Sequence, residues 1–209
     1  MDIFEALETR RSVRKFKSDP IPEEDIRKIV EYATKAPSAG NNQMWRFIAV
    51  SNRKTLDGMK NKILHKLDSL ISDSASEASQ SRLQSARNYS TFFTDAPVTI
   101  VVLGEPYTSM IDKALEGSGL DRAAADLLRH RPDMQSIGAA IENLCLSAHA
   151  MGYGTCWMTG PCIAGPEIGK LLGVESPWKV AALVPLGVPV EKSSVRPRKP
   201  VEEVLEFVR

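Results

Sequence analysis

Residues 10–17 read Arg10-Arg11-Ser12-Val13-Arg14-Lys15-Phe16-Lys17 and place five positive side chains within eight positions. The whole chain carries 27 basic and 26 acidic residues, so this excess of positive charge is local. Because a guanidinium group donates paired hydrogen bonds to two oxygens, such a cluster suits a phosphate or a carboxylate. The cluster alone leaves three interpretations open: a ligand cradle, a nucleic-acid patch and a solvated turn.

Composition is typical of a soluble globular protein. Hydrophobic residues make up 43% of the 209 positions and charged residues 25%, with a formal net charge of +1. This balance gives no global reason to expect a nucleic-acid or membrane partner. The length permits one domain with a substantial core, and neither a repeat nor a clear linker divides it. We therefore predict a single α+β domain over residues 1–209.

The N-terminus and the cysteines predict a cytoplasmic protein. The first residues, from Met1 to Glu5, lack the basic and then apolar layout of a signal peptide. No apolar run approaches the length that crosses a membrane. The cysteines are three in number and form no CxxC pair, which favours a reduced setting over a disulfide framework.

Apolar spacing predicts the helices. The most hydrophobic one spans residues 134–151 and is apolar on almost every side, so we expect it to be buried in the domain or in a subunit interface. Asp2 is placed to cap the first helix, and acidic residues after Pro22 favour the start of the second. The other predicted helices are amphipathic: residues 2–9, the segment that starts near 22, 56–70, 166–172 and the tail 201–208.

Strands are predicted where apolar residues run together. Residues 45–50 and 98–103 give the clearest signals, and 153–158 and 180–186 complete the set. Pro185 interrupts the last strand, which predicts an edge position or a bulge there. Two further segments, 72–90 and 105–131, are predicted to be insertions or lids. The first is rich in serine and poor in apolar residues, so weak order is expected, whereas the second should include a short helix at 123–128.

Several other motifs in the sequence do not predict a functional site. Gly152-Tyr153-Gly154 follows a helix and precedes a strand, the reverse of a dinucleotide-binding loop. The histidines form no pair with the spacing of a metal site, and His149 lies on the most apolar helix as a core residue would. Cys145 is interpreted in the same way. Cys156 and Cys162 flank a turn without a recognisable activating partner.

Three separated stretches resemble the FMN-dependent nitroreductases. They are Arg10-Arg11-Ser12-x-Arg14, the stretch Pro37-Ser38-x-x-Asn41-x-Gln43-x-Trp45-x-Phe47, and Arg196-x-Arg198. The resemblance spans essentially the whole chain. It implies a nitroreductase-like fold, with a central mixed but mainly antiparallel sheet flanked by helices, in an intertwined homodimer that holds FMN non-covalently at its interface.

The resemblance also assigns roles to residues. The FMN phosphate would be held by Arg10, Ser12, Arg196 and Arg198, with Arg11 contributing chiefly through its backbone. Such donors suit a phosphate monoester. Arg14 would lie near the pyrimidine edge of the flavin, where a cation stabilises the reduced anionic form.

A second group of residues would approach the flavin ring. Pro37, Ser38 and Ala39 would come from the other subunit, and Asn41 would brace their loop by hydrogen bonding. Thr159 and Gly160 would present backbone N–H groups near flavin N5. Two departures from the family pattern are Met44, where many members have Pro, and Thr159, where some have Glu. Asn88 is a further candidate for contact with the flavin.

The implied activity is ping-pong hydride transfer from NAD(P)H through FMN to an electron-poor acceptor such as a nitroaromatic, a quinone or an enone. Under this hypothesis the flavin carries the chemistry, so neither a catalytic side chain nor a metal is expected. Three alternatives stay open. They are a flavin-binding protein without turnover, a reductive dehalogenase or flavin-fragmenting enzyme on a related fold, and a nucleic-acid binder that uses the basic patch.

Overall fold

The computed structural model describes residues 1–70, 76–117, 119, 121–191 and 196–209. Its helices are α1 (Ile3–Thr9), α2 (Glu23–Ala33), α3 (Arg53–Ser69), α4 (Glu77–Thr91), α5 (Met110–Ala114), α6 (Arg122–Leu128), α7 (Pro132–Ala150) and α8 (Gly165–Leu171). Its strands are β1 (Trp45–Val50), β2 (Val98–Gly104), β3 (Gly154–Thr155) and β4 (Lys179–Gly187).

The four strands form one sheet in the order β1-β2-β4-β3, and every neighbouring pair is antiparallel. The one parallel contact in the described part of the chain is an isolated bridge between Ser12 and Thr155. The predicted strands at 45–50 and 98–103 are confirmed. The predicted strand at 153–158 is shorter, because beyond Thr155 its pairing resumes only at a bridge from Met158 to Leu183.

Pro185 lies in an inner strand, so the prediction of an edge strand is wrong. β4 pairs with β2 on one side and β3 on the other. The bulge in β4 lies at Ala181, where the register with β2 shifts, rather than at the proline. Pro185 instead lies between the Thr155–Leu186 pair and the Met158–Leu183 bridge. A proline has no N–H to donate, and the β3–β4 ladder is interrupted at this point.

Two cores cover the two faces of the sheet. On one face α2 and α7 pack against Ile100, Val102 and Val184, and on the other α3 and α8 pack against Val101 and Leu183. The alternation follows from the two-residue period of a strand. Because both faces are covered, β2 is buried along its whole length. α7 buries one side inside the domain, and its other side is half-buried or exposed, although its sequence is apolar almost all round.

The N-terminal basic stretch extends this sheet at its β3 edge. Val13 N donates to Thr155 O over 2.8 Å, and Lys17 N donates to Val188 O over 2.8 Å. Gly154 allows the close approach, since a Cβ there would lie 2.6 Å from Val13 Cγ2. The stretch is therefore a fixed part of the fold and not a solvated turn.

The serine-rich segment contains a helix where weak order was expected. Part of it, residues 72–75, lies outside the described residues, but 77–91 form α4. Ser76 caps the helix, Leu83 is buried, and Arg87 Nε donates to Asp68 Oδ1 of α3 over 2.9 Å. One buried leucine and one ion pair to a neighbouring helix are long-range contacts that composition does not reveal.

The segment 105–131 holds α5 and α6, of which only α6 was predicted. Arg129 joins them through an ion pair of 2.8 Å to Asp112. The predicted helix at 201–208 is wrong beyond its first turn, since only Val201–Glu203 form a short 3₁₀ helix and the tail is exposed. An apolar pattern without a surface to pack against does not hold a helix of this length.

Candidate functional site

A cavity of about 310 Å³ opens where the N-terminal stretch meets α7 and β3. Its walls come from four parts of the chain that the sheet edge brings together. They carry a guanidinium, a carboxylate, three hydroxyls, a thiol and an indole: Arg10, Glu142, Ser12, Thr155, Thr159, Cys145 and Trp157. Three of the predicted site residues, Arg10, Ser12 and Thr159, therefore share one cavity.

Arg10 enters the cavity from the C-terminal end of α1. Its Nε lies 3.1 Å from Glu142 Oε1 on α7, which makes an ion pair. The same Nε is buried and has no aligned hydrogen bond. Because Glu142 faces the Nε, the two terminal nitrogens of the guanidinium are the ones able to donate to a further anion.

Ser12 is placed by its backbone bridge to Thr155. Two buried thiols lie beside this bridge, and burial raises the pKa of both. The pKa of Cys145 rises to about 11 despite a hydrogen bond with Thr155, and the pKa of Cys156 rises despite nearby Arg14 and a hydrogen bond with Ser12. Burial raises the pKa of Cys162 to about 11 as well. All three therefore stay protonated at neutral pH and are not activated nucleophiles.

Arg11 and Arg14 do not line the cavity. Arg11 Nη1 donates to the carbonyl oxygens of Glu8 and Arg10 over 2.6 and 2.7 Å and so satisfies the end of α1. Arg14 lies over the ring of Tyr89 on α4, with Cζ 5.9 Å from the ring centroid. This is the range of a cation–π contact. The sequence did not single out Tyr89, because the contact joins two distant segments.

Thr159 and Gly160 begin a 3₁₀ helix, Gly160–Ala164, next to the end of α4. A Cβ at Gly160 would lie 3.0 Å from Ser90 Oγ, so the glycine allows a close approach. Trp157 crosses α7 at Gly138, where a Cβ would lie 3.2 Å from its ring. Trp157 appeared in the sequence only as part of a strand, and its glycine contact gives no local signal.

The loop predicted to approach a flavin lies on the opposite side of α7. Ala39 N donates to Ser136 Oγ over 3.1 Å, whereas Cys145, nine residues along α7, lines the cavity. Nine residues turn a helix through about 900°, which places the two side chains about 180° apart. Within one chain, the loop with Pro37, Ser38 and Ala39 is therefore not part of the cavity wall.

Hydrogen bonds within that loop fix its shape. Gln43 N donates to Ser38 Oγ over 3.0 Å, and Asn41 accepts from Gln43 Nε2 over 3.4 Å. Asn41 has a φ of 52°, in the left-handed region that asparagine tolerates. The predicted bracing hydrogen bond of Asn41 is thus present. Asn88 accepts from Gln84 Nε2 over 3.1 Å.

The two arginines of the C-terminal segment make none of the contacts described above. Arg196 and Arg198 are exposed, and neither makes a hydrogen bond or an ion pair with the described residues. The structure of one chain therefore does not bring them to the cavity, and their part in a phosphate site stays a prediction.

The donor set fits a phosphoryl group. One guanidinium and three hydroxyls line a volume large enough for it, and such groups donate to phosphate oxygens. Glu142 supplies the only acidic side chain on the cavity wall as described. Among the described residues, no three His, Cys, Asp or Glu side chains group closely enough to hold a metal ion. None of the described helices has the length and apolar character needed to cross a bilayer.

The chain matches the Nitroreductase family over residues 7–188. A provisionally named NADH dehydrogenase/NAD(P)H nitroreductase of Methanothermobacter thermautotrophicus is 29% identical over 199 residues, which cover 94% of this chain and 82% of that protein. The 5,6-dimethylbenzimidazole synthase of Rhodospirillum rubrum is 30% identical over 190 residues, covering 89% and 81%.

Two solved structures share the fold of this chain. A BluB-like flavoprotein from Clostridium difficile superimposes with a TM-score of 0.92 and 32% identity over the full length of both chains. A nitroreductase from Bacteroides fragilis, solved with bound FMN, superimposes with a TM-score of 0.72 and 24% identity over both full chains. At that identity the second comparison shows the shared fold alone.

Proposed function

Because the chain belongs to the Nitroreductase family, we propose that it is an FMN-dependent oxidoreductase that passes hydride from NAD(P)H to an electron-poor small molecule. The observation that carries this proposal is the cavity at Arg10, whose hydroxyls and guanidinium group suit a phosphate monoester. The flavoprotein with a TM-score of 0.92 and the FMN-bound nitroreductase support a flavin as the group that carries this phosphate.

The residues of this chain would bind and orient the cofactor. Arg10 and Ser12 hold the phosphate, and Arg196 and Arg198 join them from the C-terminal segment. Arg11 supports the stretch through the carbonyl oxygens that end α1. Arg14, fixed over Tyr89, places a positive charge beside the flavin and favours its reduced form.

The chemistry belongs to the flavin, which accepts and releases hydride when bound. The protein then has to position donor and acceptor in turn and needs no nucleophile. The three protonated thiols agree with this, since burial raises the pKa of each. Thr159 lines the cavity, and its backbone N–H and that of Gly160 would face the flavin ring.

We further propose that the active unit is a homodimer. The loop with Pro37, Ser38 and Ala39 and the cavity with Arg10 lie on opposite sides of α7, so one chain cannot place both against one ligand. A second copy would supply the loop, with Asn41 holding its shape. The exposed apolar side chains of the tail, such as Val204, Leu205 and Phe207, agree with burial against that copy.

The second candidate function is cleavage of the flavin itself. The 30% identity to a 5,6-dimethylbenzimidazole synthase and the close superposition on a BluB-like flavoprotein favour it over the remaining alternatives. In that case FMN is the substrate and not a permanent cofactor, while the phosphate cavity has the same role.

One set of measurements separates these functions. We expect purified protein to be yellow, and its flavin absorbance should bleach in anaerobic titration with NADH or NADPH and return when a quinone or nitroaromatic is added. Yellow protein that neither nucleotide bleaches would favour a flavin binder without turnover. Loss of flavin in air after reduction, with 5,6-dimethylbenzimidazole as product, would establish the second candidate. Protein that binds no FMN would reject both.

A further inference from the structure

The carboxylate of Glu142 stands inside the cavity that is proposed to hold a phosphate. An acidic group is unexpected there, because it repels the anion that the site should bind. No sequence motif marks Glu142, which lies in the middle of α7. The proposed function alone does not explain why a carboxylate lies in this cavity.

The geometry of the pair gives that reason. Glu142 Oε1 lies 3.1 Å from Nε of Arg10, on the inner side of the guanidinium. The two terminal nitrogens of Arg10 make no hydrogen bond with the described residues. These terminal nitrogens can form the parallel pair of hydrogen bonds that a phosphate accepts. The carboxylate therefore restrains Arg10 from one side and leaves the opposite side for the ligand.

We infer that Glu142 is a positioning residue that holds the Arg10 guanidinium in the orientation needed to bind the phosphate of FMN. This inference rests on the proposed function. The Nε–H is not aligned with the carboxylate in this structure, although the distance permits a charge-assisted hydrogen bond. A small rotation of the guanidinium aligns the Nε–H with Glu142, which satisfies the buried donor and fixes the direction of the two terminal nitrogens.

A second ion pair in the same basic stretch is more exposed to water than the pair of Arg10 and Glu142. Lys15 and Glu191 lie 2.8 Å apart, but their side chains are 72% and 63% exposed. The corresponding values for Arg10 and Glu142 are 25% and 36%. Water screens the first pair, whereas the second is partly shielded inside a cavity. Glu191 therefore serves as a matched control, since its replacement removes the same charge from the same region.

The experiment compares FMN with riboflavin, which has the same ring system and no phosphate. Dissociation constants are measured by flavin fluorescence quenching for apo-protein from the wild type, Glu142→Ala, Glu142→Gln and Glu191→Ala. We expect Glu142→Ala to weaken FMN about tenfold, as loss of a charge-assisted hydrogen bond does, and to leave riboflavin unchanged. Glu142→Gln keeps an acceptor oxygen and should recover most of the affinity. Glu191→Ala should match the wild type.

A double-mutant cycle with Arg10→Ala tests that Glu142 acts through Arg10. If it does, adding Glu142→Ala to Arg10→Ala causes no further loss of FMN affinity. Additive losses, an equal loss for riboflavin, or tighter FMN binding by Glu142→Ala would each overturn the inference while the proposed function stands. Wild-type protein that binds no FMN would overturn both. Circular dichroism of each variant confirms that it is folded.

Discussion

The two basic clusters of the chain differ in how the fold treats them. Residues 10–17 lie along the sheet edge, where Val13 and Lys17 donate backbone hydrogen bonds to Thr155 and Val188. Residues 196–199 are exposed and make no hydrogen bond or ion pair with the described residues. Two clusters of positive charge in one sequence are therefore in two different structural states.

The difference shows that half of the proposed phosphate site is built by a single chain. Arg10 is held before any ligand binds, so its share of the binding free energy is not reduced by the cost of ordering it. Arg198 has no such preparation and would be ordered by the ligand or by a second copy. Substitutions in and around the two clusters distinguish the fixed cluster from the exposed one.

The largest effect should follow removal of a phosphate-binding guanidinium. We expect Arg10→Ala and Arg198→Ala each to weaken FMN binding by about 1.5–3 kcal/mol, the range for a hydrogen bond to a charged group. Flavin retained after gel filtration and the dissociation constant from fluorescence quenching measure it. If both variants retain full flavin, the split phosphate site is wrong. If only Arg198→Ala does, the ordered cluster binds the phosphate alone.

A second prediction disturbs the ordered cluster directly. A methyl group at Gly154 would lie 2.6 Å from Val13 Cγ2. Gly154→Ala should therefore lower the free energy of unfolding by about 1–3 kcal/mol, as overpacking does. Urea denaturation of the apo-protein measures the loss, and Val13→Ala in the same chain should restore part of it. Equal stability of Gly154→Ala and the wild type would show that the stretch is not tightly fixed to β3.

A smaller effect should come from the aromatic ring under Arg14. Tyr89→Ala removes a cation–π contact at an exposed position, which is worth about 0.5–1 kcal/mol. We expect FMN affinity to fall by that amount because Arg14 becomes more mobile. Tyr89→Phe retains the ring and is the control. An equal loss in both variants would assign the effect to the hydroxyl group and contradict the cation–π explanation.

The smallest effect concerns the exposed pair Lys15–Glu191. Bonding to Glu191 raises the pKa of Lys15, and bonding to Lys15 lowers the pKa of Glu191. Both side chains remain in water, so Glu191→Ala should leave the urea midpoint unchanged within error at neutral pH. A clear shift would mean that this outer part of the basic stretch is more shielded than its exposure indicates.

Much of the scaffold could be predicted from the sequence. The strands at 45–50 and 98–103 are runs of mostly apolar residues. β2 is buried along its whole length, and β1 is buried at its two end residues, Trp45 and Val50. Asp2 caps α1 by accepting from Glu5 N over 2.9 Å, as its position before an apolar segment predicts. These features depend on neighbours within a few residues and are therefore local.

The predictions that were wrong concern segments whose structure depends on contacts between residues distant in the sequence. α4 is stabilised by the Arg87–Asp68 pair and by burial of Leu83, neither of which its serine-rich composition reveals. The strand with Pro185 is internal because β3 pairs with it at Leu186 and Gly187, and Met158 bridges to Leu183 on the other side of the proline. The site shows the same division. Arg10, Ser12 and Thr159 were predicted from motifs, whereas Glu142 and Trp157 reach the cavity only through the packing of α7 and β3.

The sequence by itself determined the family and the order of the main strands and helices, because short motifs and the apolar period carry these properties. Only the tertiary structure decided which of two similar basic clusters is fixed before a ligand binds. That outcome depends on backbone partners such as Thr155 and Val188, which lie more than 140 residues away in the chain. No local pattern encodes contacts of that range, since their free energy arises only when the sheet edge has formed.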